Sequence, residues 1–333
     1  MIENLSVQNF KSIKNLNFKC KRVNLFIGEP NTGKSNILEA LGLLSWCSRP
    51  DANLKDFVRF QNMYNIFYDN LIDNQCSVTI RGAHERSIPA TVKLFYKNNS
   101  FFIHYNLEKS SEKKVAVIDY SGTIRDYDLI AASPELGFIK YYKFKNRDNY
   151  PDHSGSFLVP PDGPNLFTLV MGNAKLRESM KSFFTGYNLK LVLKPVEMSF
   201  EVQKEEEDLI FNYPYQLLSD TLRHIIFYAI AIESNENSTL IFEEPEAHAF
   251  PYYTKWLGEK IAMNRSNQFF IATHNPYMLQ AIMEKTDNSD LNVCITYYRD
   301  YQTKIYQLTP DQIEEAMDID PFFNLSRFLP VNE

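Results

Sequence analysis

Three groups of residues in this chain have the types and spacing to act on a phosphate. The first is Gly28-Glu29-Pro30-Asn31-Thr32-Gly33-Lys34-Ser35, which reads G-x-x-x-x-G-K-S, the Walker A pattern. Gly28 and Gly33 let the backbone curl until its N–H groups face phosphate oxygens. Lys34 can reach terminal phosphates, and the Ser35 hydroxyl can ligate Mg²⁺. With Asn36, which follows directly, these residues form the candidate binding loop. The second group is the carboxylate pair Glu243-Glu244, and the third is His274 in Ala272-Thr273-His274-Asn275-Pro276. A carboxylate can hold a hydrated Mg²⁺ or polarise an attacking water, and an imidazole can contact the phosphate or that water.

The flanking residues predict the elements that must position these groups. Arg22 to Ile27 reads as a short strand running inward, and Ile37, Ala40, Leu41 and Leu44 recur with helical spacing after the loop. A helix starting there turns its positive end toward the same anion. Leu240-Ile241-Phe242 and Phe269-Phe270-Ile271 read as buried strands, with Glu243-Glu244 and His274 just past their C-terminal ends. That is where ligands bind in open α/β sheets. Leu222, Ile225, Ile226, Ala229 and Ile230 share one face of a further helix, capped by Ser219 or Asp220. Such a helix start suits an anion, and it equally suits an ordinary cap.

The rest of the chain sets the frame. Residues 2–9 alternate like a strand, Phe10 to Ile13 turns the chain, and Leu16 to Phe18 looks like a second strand. Four β-rich segments follow between Cys76 and Tyr120, with Lys97-Asn98-Asn99-Ser100 as a hairpin loop. Residues 146–165 are rich in Asn, Asp, Pro and Gly and mark a lobe boundary. Residues 166–188 read as helical, and 189–211 hold strand-like pieces around Glu205-Glu206-Glu207-Asp208, a solvated run.

With 333 residues the chain can bury a large core. The net charge of −6 and the lack of Lys/Arg runs give no support to a nucleic-acid surface. Cys20, Cys47, Cys76 and Cys294 lack metal-type spacing and are expected as reduced thiols. No apolar run reaches membrane-spanning length and no signal peptide is seen, so the expected location is cytoplasmic, with no membrane partner.

The run L-S-V-Q-N-F-K-S-I-K-N-L, followed closely by G-E-P-N-T-G-K-S-N-I-L-E-A-L, resembles the N-terminus of the SMC/RecF-like branch of ABC-type ATPases. Leu218-Ser219-Asp220-Thr221 resembles the signature motif, with Thr221 where the family has Gly. Phe242-Glu243-Glu244-Pro245-Glu246-Ala247-His248 resembles Walker B, with Glu243 in place of the usual Asp, and the His274 segment resembles the switch histidine.

The resemblance implies an α/β fold: a mixed core sheet, an antiparallel β subdomain and a helical second lobe. Lobe I would span about 1–145 plus 236–333, and lobe II about 146–235. It implies ATP and Mg²⁺ as ligands and a homodimer with ATP between its subunits. Ser219 would bind the γ-phosphate held by the partner, Lys11 would approach the nucleotide or be only a solvated turn lysine, and Ser35 and Glu243 would serve Mg²⁺. Lys34, Glu244 and His274 would carry catalysis. Glu246 and His248 would serve the dimer interface, or pack or cap. The Gln that the family places near the γ-phosphate has no clear counterpart; Asn165 is a substitute candidate, or serves plain turn chemistry.

No long heptad array separates Lys34 from Ser219, which argues against a true SMC protein with its coiled-coil arm. After His274 too little chain is expected for the nuclease domain of OLD-type relatives, and no D-x-D cluster is seen. The absence of N-K-x-D argues against a GTPase. Compact relatives pair with a separately encoded effector or nuclease in defence against phage, while RecF-like relatives act in DNA repair. A slow ATP switch is an alternative within the chemistry, and a non-hydrolysing nucleotide-bound scaffold is an alternative of another class.

Overall fold

The computed structural model describes residues 1–82, 89–107, 111–131, 133–152, 155–319 and 322–329. The chain opens with β1 (Asn4–Phe10) and β2 (Ile13–Lys19), an antiparallel pair closed by Lys11-Ser12, with Lys11 in the left-handed region. β3 (Val23–Gly28) then runs into the glycine-bounded loop, and α1 (Lys34–Cys47) leaves it. β4 (Cys76–Arg81), β5 (Ala90–Lys97), β6 (Ser100–Leu107), β7 (Lys113–Ile118) and β8 (Ile124–Tyr127) follow. The β5–β6 loop is Asn98-Asn99, both at positive φ, the backbone that a two-residue hairpin demands and asparagine tolerates. With β1 and β2 these strands build a seven-stranded antiparallel sheet, in the order β2-β1-β4-β5-β6-β7-β8.

One helical turn, α2 (Ser133–Leu136), precedes β9 (Ile139–Tyr142). Next come α3 (Leu166–Gly172), α4 (Ala174–Thr185), and a three-stranded sheet of β10 (Lys190–Lys194), β11 (Ser199–Glu206) and β12 (Leu209–Pro214). Glu207 and Asp208 of the acidic run turn the β11–β12 hairpin, both exposed and at positive φ. After α5 (Asp220–Glu233) the chain alternates strand and helix: β13 (Thr239–Glu243), α6 (Pro251–Met263), β14 (Gln268–Ala272), α7 (Pro276–Lys285) and β15 (Leu291–Arg299). β16 (Gln302–Gln307) and α8 (Pro310–Asp318) follow.

The central sheet has six strands in the order β16-β15-β3-β14-β13-β9. All its pairings are parallel except that of the edge strand β16. Its strands alternate between two cores, as a sheet covered on both faces must. Val23, Leu25, Ile27, Leu240, Phe242, Phe269 and Ile271 face a core completed by α3 to α7. Phe26, Ile241, Phe270, Cys294 and Tyr141 face a second core, filled by α1 and the antiparallel sheet. Residues of the 146–235 segment, from Tyr150 to Ile232, belong to the first core. β9 is not legible in the sequence: four residues, Ile-Lys-Tyr-Tyr, are too short to show a period. Among the described residues no helix is long and apolar enough to cross a membrane.

Candidate functional site

β3, β13 and β14 are neighbours running the same way, so their C-terminal ends open on one side of the sheet. The register sets Glu243 beside Ala272 and Ala272 beside Phe26, two residues before Gly28. Residues 28–35, 243–244 and 274 therefore emerge at one edge.

The glycine-bounded loop is propped from behind. Gly28 (φ +150°) and Gly33 (φ +96°) take conformations that side chains disfavour, and a methyl on either would collide with Thr296 or Thr303. Thr32 Oγ1 shares a hydrogen bond with Thr296 Oγ1 (2.7 Å) and donates to the Glu29 carbonyl (2.8 Å). Asn36 Nδ2 donates to Ser12 Oγ (2.6 Å), which lies 2.6 Å from Thr303 Oγ1. Thr296 and Thr303 belong to β15 and β16, about 270 residues on, so no local sequence signal could have pointed to them. Glu29, Pro30 and Asn31 are exposed, and Ser35 and Asn36 are half-buried at the start of α1. That helix start has no side-chain cap, which leaves its N–H groups for an anion. The Lys34 ammonium folds back onto the carbonyls of Gly28 (2.9 Å) and Glu29 (2.8 Å). Burial lowers its pKa to about 8, against the opposing pull of Glu244.

Glu243 closes β13 and accepts from Tyr141 Oη (3.2 Å) and Arg59 Nη2 (3.3 Å). Arg59 also pairs with Glu39 of α1, whose carboxylate is fully buried. Lys11 donates to Glu39 and to the Arg59 carbonyl. Lys11 is thus held in an ion-pair cluster that runs from buried Glu39 through the exposed Arg59 to Glu243, a connection that sequence reasoning missed. Glu244 sits at φ +46° and its Oε1 lies 3.6 Å from His274 Nε2. Burial and the charge of Lys34 lower the His274 pKa, and Glu244 partly offsets them. Lys34, Glu244 and His274 thus act on one another electrostatically, from three different elements.

Ser219 caps α5, accepting from Leu222 N (3.4 Å), and is exposed. Among the described residues it shares no hydrogen bond with residues 28–36 of its own chain. Thr221, standing where a glycine was expected, donates its hydroxyl hydrogen to the His248 carbonyl and ties the start of α5 to the turn after β13. Asn165 Oδ1 accepts from Val159 N (2.9 Å) and its Nδ2 donates to the Phe157 carbonyl (2.9 Å), both inside its own loop. The strand beside β13 is β9, and its Tyr141 is the residue from that side that reaches Glu243. Of the other histidines, burial pushes His224 down to about 4, His104 faces Glu112, and His84 and His153 lie outside the described residues. All four cysteines are free thiols.

The donors fit the ligands expected. A Cβ at Gly28 or Gly33 would meet Thr296 or Thr303 behind the loop, so glycine is what lets this backbone take the curl that close approach to a phosphate requires. The Ser35 hydroxyl and Glu243 carboxylate are hard oxygen donors of the kind that hold hydrated Mg²⁺.

No protein-family model matches the chain, and no curated protein matches it. Among solved structures it is similar to an SmcHead bound to the C-winged helix domain of ScpA. The two are 15% identical, with a TM-score of 0.60 over 96% of this chain and 99% of that one. It is also similar to the Smc head domain with an extended coiled coil, bound to the C-terminal domain of ScpA, from Pyrococcus furiosus. Here identity is 12% and the TM-score 0.58, over 95% of this chain and 98% of that one. The chain has the mixed α/β fold of SMC head domains, the fold expected of the SMC/RecF-like branch of ABC-type ATPases.

Proposed function

We propose that this chain is a Mg²⁺-dependent ATPase that acts as a dimer with ATP between its subunits. One observation carries the reading. The glycine-bounded loop, the Glu243-Glu244 pair and His274 emerge at the C-terminal ends of three adjacent parallel strands. In this reading Lys34 exchanges the carbonyls of Gly28 and Glu29 for terminal phosphate oxygens. The backbone N–H groups of residues 28–36 hold the phosphate chain. Ser35 and Glu243 hold Mg²⁺, which when bound neutralises charge on the phosphates. Glu244 orients and polarises the attacking water, and neutral His274 supports it. Because positioning and charge effects dominate phosphoryl transfer, a loss of any of these groups shows in turnover.

The exposed cap at Ser219 supports a contact in trans, with Walker A of one copy against Ser219 of the other, twice around a two-fold axis. On the resemblance, the chain divides into a first lobe (about 1–145 and 236–333) and a second lobe (about 146–235) that carries Ser219. The output, on the resemblance alone, is control of a separately encoded effector or nuclease in defence against phage. Phosphate release from ATP by the purified chain, with and without Mg²⁺, tests the activity.

A further inference from the structure

We propose that Glu246 is the positioning residue that holds Glu244 and His274 together; the proposal rests on the ATPase reading above. Glu244 leaves β13 in the left-handed region (φ +46°), which is strained for a residue with a Cβ. His274 lies two residues beyond the end of β14. The last backbone link between the two segments is the Glu244 N–H bond to the Ala272 carbonyl (2.9 Å), and both side chains lie past it. What fixes them must come from the turns.

Glu246 supplies that link. It is 5% exposed, and its Oε1 accepts from the Thr273 hydroxyl. Thr273 is fully buried, and its Oγ1 accepts in turn from Asn275 N (3.0 Å). Its own N–H donates to the Phe26 carbonyl of β3 (3.2 Å), in the strand that carries the glycine-bounded loop. One buried threonine thus joins the three segments of the site, and Glu246 ties it to the turn that bears Glu244. Packing does not explain a carboxyl here, because burying one is costly without full hydrogen bonding. Its second oxygen, Oε2, has no partner among the described residues. Burial pushes the carboxyl up to about 7; Thr273 and the N–H groups of Glu246 and His274 oppose this, and Glu244 adds to it. The titratable groups facing it are Glu244 on its own turn and Tyr228 from α5.

Two readouts test this on the full-length chain. In steady-state ATP hydrolysis with Mg²⁺, Glu246→Ala and Thr273→Val are expected to lower kcat by roughly 10- to 100-fold, with KM within about 3-fold. The double variant should be no worse than Thr273→Val alone, because that substitution already removes the bond that Glu246 accepts, along with the one from Asn275 N. Glu246→Gln keeps an acceptor for Thr273 and should recover most of the rate. In nucleotide-free protein the His274 Cε1–Hε1 NMR signal, assigned with His274→Asn, should move in Glu246→Ala and stay in place in Glu246→Gln. A Glu246→Ala chain with wild-type kcat, an unmoved His274 signal, or a Gln variant as impaired as Ala overturns the proposal. Should Glu246→Ala not fold, Thr273→Val decides by the same two readouts. A wild-type chain without turnover refutes the ATPase reading instead, and the NMR readout still decides the link.

Discussion

Glu244 Oε1 lies 3.6 Å from His274 Nε2, a carboxylate and an imidazole brought together by two adjacent parallel strands. Neither strand alone could place its group so. Burial and Lys34 hold the imidazole below its usual pKa of 6.5, so at neutral pH the ring is uncharged and free to accept or donate. The pair faces the loop whose Lys34 acts on both members.

Gly33→Ala should abolish nucleotide binding. The added methyl would overlap Thr303 and force a left-handed backbone on a residue with a Cβ. The strain is about 1–3 kcal/mol, before any shift of β16. Isothermal titration with ATP and Mg²⁺, together with a melting curve, checks both effects; an alanine chain that binds ATP normally would show that the cradle is not the site.

Lys34→Met should raise the melting temperature of the nucleotide-free chain at pH 7 by roughly 2 °C or more while removing ATP binding. In the folded chain the ammonium has a pKa of about 8, against the ordinary lysine value of 10.5. The unfolded chain therefore binds more protons between those values, and stability from this group rises with pH there. Below about pH 8 the full penalty of the buried charge is present, so the gain from removing it is largest at neutral pH and shrinks toward pH 10. Calorimetry across that range would contradict this with a gain that grows with pH.

Ser219→Arg should leave ATP binding intact and stop hydrolysis, because bulk and positive charge would stand at the proposed seam between Ser219 and a partner's loop. Light scattering with size exclusion should show ATP driving dimers of the Glu244→Gln chain, by mass action on the form that binds ATP. The added Ser219→Arg change should leave monomers. A Ser219→Arg chain that hydrolyses ATP at the wild-type rate would refute assembly in trans.

Local pattern carried much of the fold. α1 leaves the glycine-bounded loop at Lys34, as the helical spacing of Ile37, Ala40, Leu41 and Leu44 predicts. The Asn98-Asn99 turn was legible because hairpin chemistry lies within four residues. The strand ends bearing Glu243 and His274 were legible because buried parallel strands read as short apolar runs. What stayed hidden depends on distant pairing. Tyr141 reaches Glu243 only because β9 docks beside β13, and Thr303 props Gly33 only because β16 folds back beside β15. Glu39 read as one more residue of an amphipathic helix, yet it gathers Lys11 and Arg59. Asn165 follows the turn chemistry that its residue type also offered: Oδ1 accepts from Val159 N and Nδ2 donates to the Phe157 carbonyl.

The most direct measurement is phosphate release by the wild-type and Glu244→Gln chains, with ATP affinity measured alongside. Among the described residues the Glu244 carboxylate makes no hydrogen bond to residues 28–36, and its substitution keeps the shape of the side chain, so ATP should bind to both chains alike. Turnover of the variant should fall at least about 100-fold, the size of effect expected when the group that positions the attacking water is lost. A Glu244→Gln chain that binds ATP and hydrolyses it at the wild-type rate would contradict the account.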